Sequence, residues 1–274
     1  MAETNVQEYK VAKSTTEQIE HLKENKRVTF NEISEDEASE LLLRYNYINI
    51  ISPYKHHFAQ LDNKKQVVKK DGRHIYEVDV DFSEYYTCFK EERDCYPIIM
   101  DNIYHFEIQF KSIVAYYVLN EYKINNSEEL KFCLSKLKMN LSNKKVSFEK
   151  RVDHMMDHLD SLFYDVFRYA DIYCFFDRMS LGNMLTVYAS LDDELQDKIF
   201  NELKRFKINL KAEQVPVFID RVFRLVSIRN CVMHCNSLEI LIRFYNPKTK
   251  ALRRSNDRKG YLSLIKELKE KRDN

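Results

Sequence analysis

Turn-forming residues are scarce in this chain of 274 residues, which holds only 3 Gly and 4 Pro. Globular proteins carry roughly 12% of the two together. Because sandwiches and barrels need many tight turns, this scarcity excludes them and favours long helices. Aromatic residues make up 13% of the chain, all of them Tyr and Phe, which excludes disorder. We therefore predict an all-α fold with at most a short β segment.

The chain also has no excess of positive or negative charge and no long apolar run. Lys and Arg number 44 against 43 Asp and Glu, so only local patches could attract nucleic acid. The longest apolar run, IVAYYVL (113–119), is far shorter than the roughly 18 residues of a membrane span. The opening MAETNVQEYK lacks the basic and apolar regions of an export signal. We expect a cytoplasmic protein without membrane contact, whose six cysteines are reduced.

Capping residues and apolar spacing predict the helices. Ser14 and Ser34 each precede a helix, and a 3–4 step of apolar residues marks a long helix over 97–122. RHIYEVDVDF (73–82) partly alternates and indicates a strand or extended segment. Further helices are expected over 150–175, 179–190, 192–206 and 214–235, and in YLSLIKELKEK after a basic loop over 246–260. Without repeats or a long linker, we predict one domain over 1–274, with 1–13 as a flexible tail.

The stretch VSIRNCVMHCN (226–236) places an arginine in an apolar helix. On a helix over 214–235, Arg229 shares a stripe with Val222 and Val226. An unpaired charge there is costly, so Arg229 is expected either to pair with a buried acid or to face an interface that receives an anion. Asn230 precedes His234 by about one turn and is placed to orient its imidazole.

This residue set suits RNA cleavage without a metal. The 2′-OH attacks the adjacent phosphate, so a base, an acid and a cation are needed. Histidine serves as base or acid near neutral pH, and the arginine fork matches phosphate oxygens. One motif supplies one histidine, so two copies must face each other across a symmetric dimer. The alternative is a chance spacing, with a salt-bridged arginine and a hydrogen-bonded histidine.

RNCVMH (229–234) matches the R-N-x-x-x-H signature of HEPN-domain ribonucleases, and its surroundings resemble the Abi-like (abortive infection, AbiD/AbiF-type) family. Four further stretches follow the family's order: TTEQIEHLKENK (15–26), YNYINIISPYKHHF (45–58), IYHFEIQFKSIVAYY (103–117) and MSLGNMLTVYASL (179–191). The likeness covers residues 14–265. It departs from the family at Leu181, which replaces an aromatic residue, and at Cys235, which replaces a second histidine.

The resemblance implies a HEPN-type helical bundle with extra helices. Its dimer is expected to form a metal-independent endoribonuclease that acts against phage and is toxic to its own cell when activated. Arg229 would bind the scissile phosphate, Asn230 would orient the site and His234 would act as acid or base. Glu107 and Lys111 are expected either to support the site or to form a helix-face ion pair. No cofactor is implied.

Two readings without cleavage stay open. One is a HEPN module that binds a small structured non-coding RNA. The other is a regulatory partner protein in which Arg229 closes a dimer salt bridge. RNA contacts are expected from a set of basic residues: Lys55, Lys144, Lys145, Lys248, Arg253 and Arg254.

HMMDH (154–158) resembles a zincin helix but has Met155 in place of the general base, so it does not support a metalloprotease. A zinc site from these histidines with Cys231 and Cys235 is a weaker alternative, and we predict no metal.

Overall fold

A computed structural model describes residues 12–62, 67–70, 73–126, 129–130, 132–134, 136–137, 172–246 and 251–270. The chain divides into two compact units. Unit 1 holds Met1–Cys95 with Asn236–Ile240, and unit 2 holds Tyr96–Cys235 with Leu241–Asn274. One domain over 1–274 stays a prediction. The expected tail lies outside the described residues except for its last two.

Unit 1 begins with capped helices, as predicted. Helix α1 (Thr15–Lys26) has a capping box, in which Ser14 Oγ accepts from the Glu17 amide and the Glu17 side chain accepts from the Ser14 amide. Helix α2 (Glu35–Tyr45) starts at Ser34 in the same way, without the reciprocal bond. Helix α3 (Tyr47–Ile50) is a single turn.

Short strands join the helices of unit 1. Strands β1 (Val28–Thr29) and β4 (Val80–Asp81) pair in parallel, while β2 (Lys69–Lys70) and β3 (Arg73–His74) pair antiparallel. The segment 73–82, predicted as a strand or an extended segment, forms strands only at Arg73–His74 and Val80–Asp81. Asp81 then caps helix α4 (Phe82–Asp94). The core of the unit includes Leu22, Ile50 and Phe82, all fully buried.

Unit 2 is built around helix α5 (Tyr96–Glu121), which confirms the long helix predicted over 97–122. The other helices are α6 (Tyr173–Arg178), α7 (Leu181–Ser190), α8 (Asp193–Arg205), α9 (Val215–Met233), α10 (Leu238–Arg243), whose first residues belong to unit 1, and α11 (Ser255–Lys269). Most of the helix predicted over 150–175 lies outside the described residues. Strands β5 (Phe244–Asn246) and β6 (Ala251–Leu252) form a small antiparallel pair.

Aromatic rings fill the core of unit 2. Phe110, Tyr188 and Phe218 pack edge to face, with ring centroids 5.7–5.8 Å apart. Phe106 stacks on Phe110 at 5.4 Å. Such pairs add specific geometry to the burial of large apolar area. Phe106 and Phe110 of α5 therefore belong to the core of unit 2.

Helix α11 corrects one expectation. The basic loop predicted over 246–260 ends early, because α11 already begins at Ser255. Gly260 lies inside this helix, and a Cβ there would come within 2.7 Å of the Arg224 guanidinium carbon. A glycine that normally weakens a helix is therefore used to admit an arginine from α9.

The described residues confirm the predicted fold class, since the structure is mostly helical and its strands form three two-stranded pairs. Within the same residues, no helix is both long enough and apolar enough to cross a lipid bilayer.

Candidate functional site

The R-N-x-x-x-H motif lies at the C-terminal end of helix α9. Its last residue is Met233, and His234 is the C-cap. The His234 amide donates to the Asn230 carbonyl at 3.1 Å, and the Cys235 amide donates to the Val232 carbonyl at 3.0 Å. Cys235 takes a left-handed conformation (φ 52°), which ends the helix. The motif histidine therefore lies at the point where the chain leaves the helix.

The stripe that contains Arg229 leaves the core as it approaches the motif. Val222 and Val226 are buried, the Arg229 side chain is 31% exposed and Met233 is 53% exposed. The arginine side chain consequently lies at the margin of the apolar core and is partly exposed to solvent.

Glu107 of α5 is the acid beside Arg229. Its Oε2 lies 3.7 Å from Arg229 Nε, which is a charge pair without a hydrogen bond. Arg229 Nε is buried and has no hydrogen-bond partner. The first of the two expectations for Arg229, pairing with an acid, is what the structure shows, and the side chain stays partly exposed.

Lys111 holds Glu107 from the other side. Its Nζ lies 2.7 Å from Glu107 Oε1 and donates to the Asp177 carbonyl at 3.1 Å. The side chains of Glu107 and Lys111 are only 14% and 10% exposed. This is more than a solvated helix-face pair, because a largely buried carboxylate is shared by two cations and its position depends on both.

Asn230 and His234 are exposed on α9. Arg229 Nη1 lies 3.5 Å from Asn230 Oδ1, at the long limit of a hydrogen bond. The backbone carbonyl of Asn230 binds the His234 amide. The three motif residues thus lie together on one helix end, with the arginine held by Glu107 and the histidine presented to solvent.

The predicted RNA contacts are spread over the chain. Lys55 lies in unit 1, in the turns after α3, and is half-buried. Arg254 is the exposed N-cap residue of α11. Lys144, Lys145 and Lys248 lie outside the described residues. An RNA-binding role for the members of this set stays a prediction.

Arg253 is engaged within unit 2. Its Nε donates to the Leu241 carbonyl at 2.7 Å, its Nη1 donates to Asp257 Oδ2 at 2.8 Å, and its guanidinium lies 4.4 Å from the Tyr261 ring centre. Through these contacts Arg253 joins α11 to α10 within unit 2.

Glu92 was not predicted from the sequence. Its carboxylate accepts from the Tyr54 hydroxyl, from Ser237 Oγ at 2.9 Å and from the Leu238 amide. All of these belong to unit 1. In the sequence Glu92 stands in the charged run KEERD, which is typical of a solvated helix face. Only the fold reveals that it binds the residues that follow the motif.

Comparison with known proteins supports the predicted resemblance. The model of the family described as Abi-like protein matches residues 40–238, which is more than half of the chain. The chain belongs to the Abi-like family. The matched range contains Glu107, Lys111 and the whole R-N-x-x-x-H motif, whereas the stretch 15–26 precedes it. Membership of this family points to a role in abortive infection. No match was found among curated proteins or among solved structures.

The zinc alternative gains no support from the described residues, among which no group of three or more His, Cys, Asp or Glu side chains could hold a metal. Cys231 is buried and Cys235 is exposed. His154 and His158 lie outside the described residues.

Proposed function

We propose that this Abi-like protein is a metal-independent endoribonuclease of the HEPN type, whose site is completed by a second copy of the chain. The observation that carries the proposal is the Arg229–Asn230–His234 group on one exposed helix end, with Glu107 beside the arginine. A cation held by an acid and an accessible imidazole are two of the elements that RNA transesterification requires.

In the proposed reaction, the 2′-oxygen of a ribose attacks the adjacent phosphorus while a histidine removes the hydroxyl proton. The bond from phosphorus to the 5′-oxygen breaks, and a second histidine protonates that oxygen. The products are a 2′,3′-cyclic phosphate and a 5′-hydroxyl. Arg229 would stabilise the charged phosphorane through its partly exposed guanidinium.

The second histidine is proposed to come from a partner chain. Each chain has one motif histidine, so a two-fold axis beside the end of α9 would place His234 of both copies at one phosphate. Met233 supports this geometry, because a large apolar side chain that is 53% exposed next to the motif is better covered by a second protein surface than by water.

A purified-protein assay tests the proposal. Wild type, Arg229→Lys and His234→Ala are incubated with total RNA, with and without EDTA, and affinity for the same RNA is measured in parallel. We expect wild-type cleavage that is unaffected by EDTA. Arg229→Lys should lower it about 100-fold, because lysine lacks the planar fork, and His234→Ala should abolish it. RNA affinity should change little in either variant.

Two results would argue against this function. Wild-type cleavage that His234→Ala retains would remove the histidine from the chemistry. Tight RNA binding without cleavage under any activating condition would favour the non-catalytic RNA-binding module. The exposed Arg258 of α11 provides a matched control, since Arg258→Lys should leave cleavage unchanged.

A further inference from the structure

Side chains of unit 1 hold the backbone that follows the motif. His234 ends α9 as its C-cap, and Cys235 follows in a left-handed conformation. The next five residues, Asn236–Ile240, belong to unit 1, and we call them the post-motif segment. Because only Cys235 separates this segment from His234, its course determines the direction in which the chain leaves the motif histidine.

Glu92 of α4 binds the post-motif segment at two consecutive residues. Its carboxylate accepts from Ser237 Oγ at 2.9 Å and from the Leu238 amide. Leu238 is the first residue of α10, so its amide has no acceptor within that helix. Ser237 and Leu238 are both buried, and a buried donor is costly to leave without a partner. The Glu92 carboxylate therefore fixes the position of both residues.

A tyrosine in turn holds the Glu92 carboxylate. The hydroxyl of the buried Tyr54 donates a hydrogen bond to it. Burial and the charge of Glu92 raise the pKa of this phenol, so the hydroxyl stays protonated and remains a donor. Hydrogen bonds to an ionised acceptor are stronger than those between neutral groups. Three such donors therefore define one orientation of the Glu92 carboxylate.

Two further side chains of unit 1 contact the post-motif segment. Arg93, next to Glu92 on α4, donates from Nη1 to the Asn236 carbonyl at 3.2 Å. His57 Nε2 lies 3.4 Å from Glu239 Oε1. Together with the bonds of Glu92, these contacts reach every residue from Asn236 to Glu239. The backbone next to the motif therefore has little freedom to move.

We propose that Glu92 is a positioning residue for His234 in the ribonuclease reaction, an inference that rests on the proposed function. On its N-terminal side His234 is fixed by α9, where its amide donates to the Asn230 carbonyl. On its C-terminal side the hydrogen bonds of Glu92 define the path of the chain. The exposed imidazole is thus presented from a backbone of defined orientation. Proton transfer requires this, because a displacement of about 1 Å can lower the rate roughly a hundredfold.

The first test is the NMR spectrum of the full chain labelled with carbon-13 in its histidine rings. The His234 signal is identified by its absence from His234→Ala. Glu92→Ala should shift or broaden this signal, because the backbone after the histidine loses its fixed path. Glu92→Gln keeps one oxygen that can accept from the Leu238 amide, and should change the signal less. This measurement does not depend on whether the protein cleaves RNA.

The second test is the kinetics of RNA cleavage by the folded variants. Glu92→Ala should lower kcat about tenfold and leave KM for RNA within about twofold of wild type, because a misplaced imidazole slows proton transfer and not binding. Glu92→Gln should restore most of the lost kcat. A purely structural role would instead lower Tm and the folded fraction, with an unchanged kcat for each folded molecule.

Two further variants complete the design. Glu91→Ala removes the exposed neighbouring acid of α4 and should leave both the His234 signal and kcat unchanged. If Glu92→Ala does not fold, Ser237→Ala takes its place. It removes one donor to Glu92 and should change the same two quantities by a smaller amount.

The outcomes distinguish this inference from the proposed function. An unmoved His234 signal in a folded Glu92→Ala protein would overturn the positioning role, as would an unchanged kcat in that variant when wild type cleaves RNA. A His234 signal that moves in Glu92→Ala, combined with a wild type that does not cleave, would support the positioning of His234 by Glu92 and reject the ribonuclease function.

Discussion

Glu107 Oε2 lies 3.7 Å from Arg229 Nε, so the arginine of the R-N-x-x-x-H motif is paired with an acid from another helix. The same carboxylate binds Lys111 at 2.7 Å. The Glu107 carboxylate therefore neutralises two cations. Arg229 is partly exposed at the motif, and Lys111 is buried. This arrangement fixes the orientation of the Arg229 guanidinium and leaves some of its N–H groups without a hydrogen bond.

Glu107→Gln should destabilise the protein, because it leaves Lys111 and Arg229 without their counter-charge. We expect a loss of roughly 1–3 kcal/mol in the free energy of unfolding, measured by urea denaturation. Glu121→Gln on the same helix removes an acid that is half-exposed and lies 3.6 Å from Lys198, and should cost less than about 0.5 kcal/mol. Equal free energies of unfolding of the two variants would show that the pairing of Glu107 with Arg229 and Lys111 does not stabilise the protein.

Much of this site was predictable from the sequence, and its central contact was not. The motif at the end of a helix and the i,i+4 pair of Glu107 and Lys111 follow from helical spacing. The contact between Glu107 and Arg229 joins helices that are far apart in the chain, and a single sequence carries no signal for such a pair. The intramolecular partners of Arg253 were not predictable either, because a charge near a loop gives no sign of what it contacts.

The same limit applies to the fold. The helix starts predicted at Ser14 and Ser34 are correct, because capping is a local interaction between residues that are close in sequence. The start of α11 was predicted too late, because the reason for a glycine inside this helix, the space that Gly260 gives to Arg224, depends on packing between helices. The boundary of the two units at Cys95 has no Gly- or Pro-rich linker and could not be found by composition.

Met233→Glu should separate the proposed dimer. A charge at an exposed apolar position beside the motif would be buried against the partner copy and would repel its symmetry mate. Sedimentation velocity should show a dimer for wild type and a monomer for Met233→Glu. Leu262→Glu, at another exposed position, on α11, is the matched control and should stay dimeric. A Met233→Glu protein that dimerises like wild type would place the interface elsewhere.

His57 should make stability depend on pH. Hydrogen bonds with Cys88 and Glu239 raise its pKa to about 9, from an ordinary value of 6.5. Its stabilising contribution is therefore complete below pH 6.5 and is lost as the pH rises through about 9. His57→Gln should cost about 1 kcal/mol at pH 6, since the side chain is 42% exposed and solvent screens the interaction.

At pH 10 the wild type and His57→Gln should unfold at the same urea concentration. The exposed His105 of α5 serves as a control, because His105→Gln should change stability by less than about 0.5 kcal/mol at either pH. A His57→Gln penalty that persists unchanged at pH 10 would show that packing, and not the protonated imidazole, stabilises this part of unit 1.

The most direct test of the central claim is the state of total RNA in cells induced for wild type or for His234→Ala, with the chemistry of any new ends determined. Growth arrest with new fragments that carry 5′-hydroxyl and 2′,3′-cyclic phosphate ends, absent with His234→Ala, is the predicted result. The same fragments from both proteins would show that RNCVMH is not the site of cleavage.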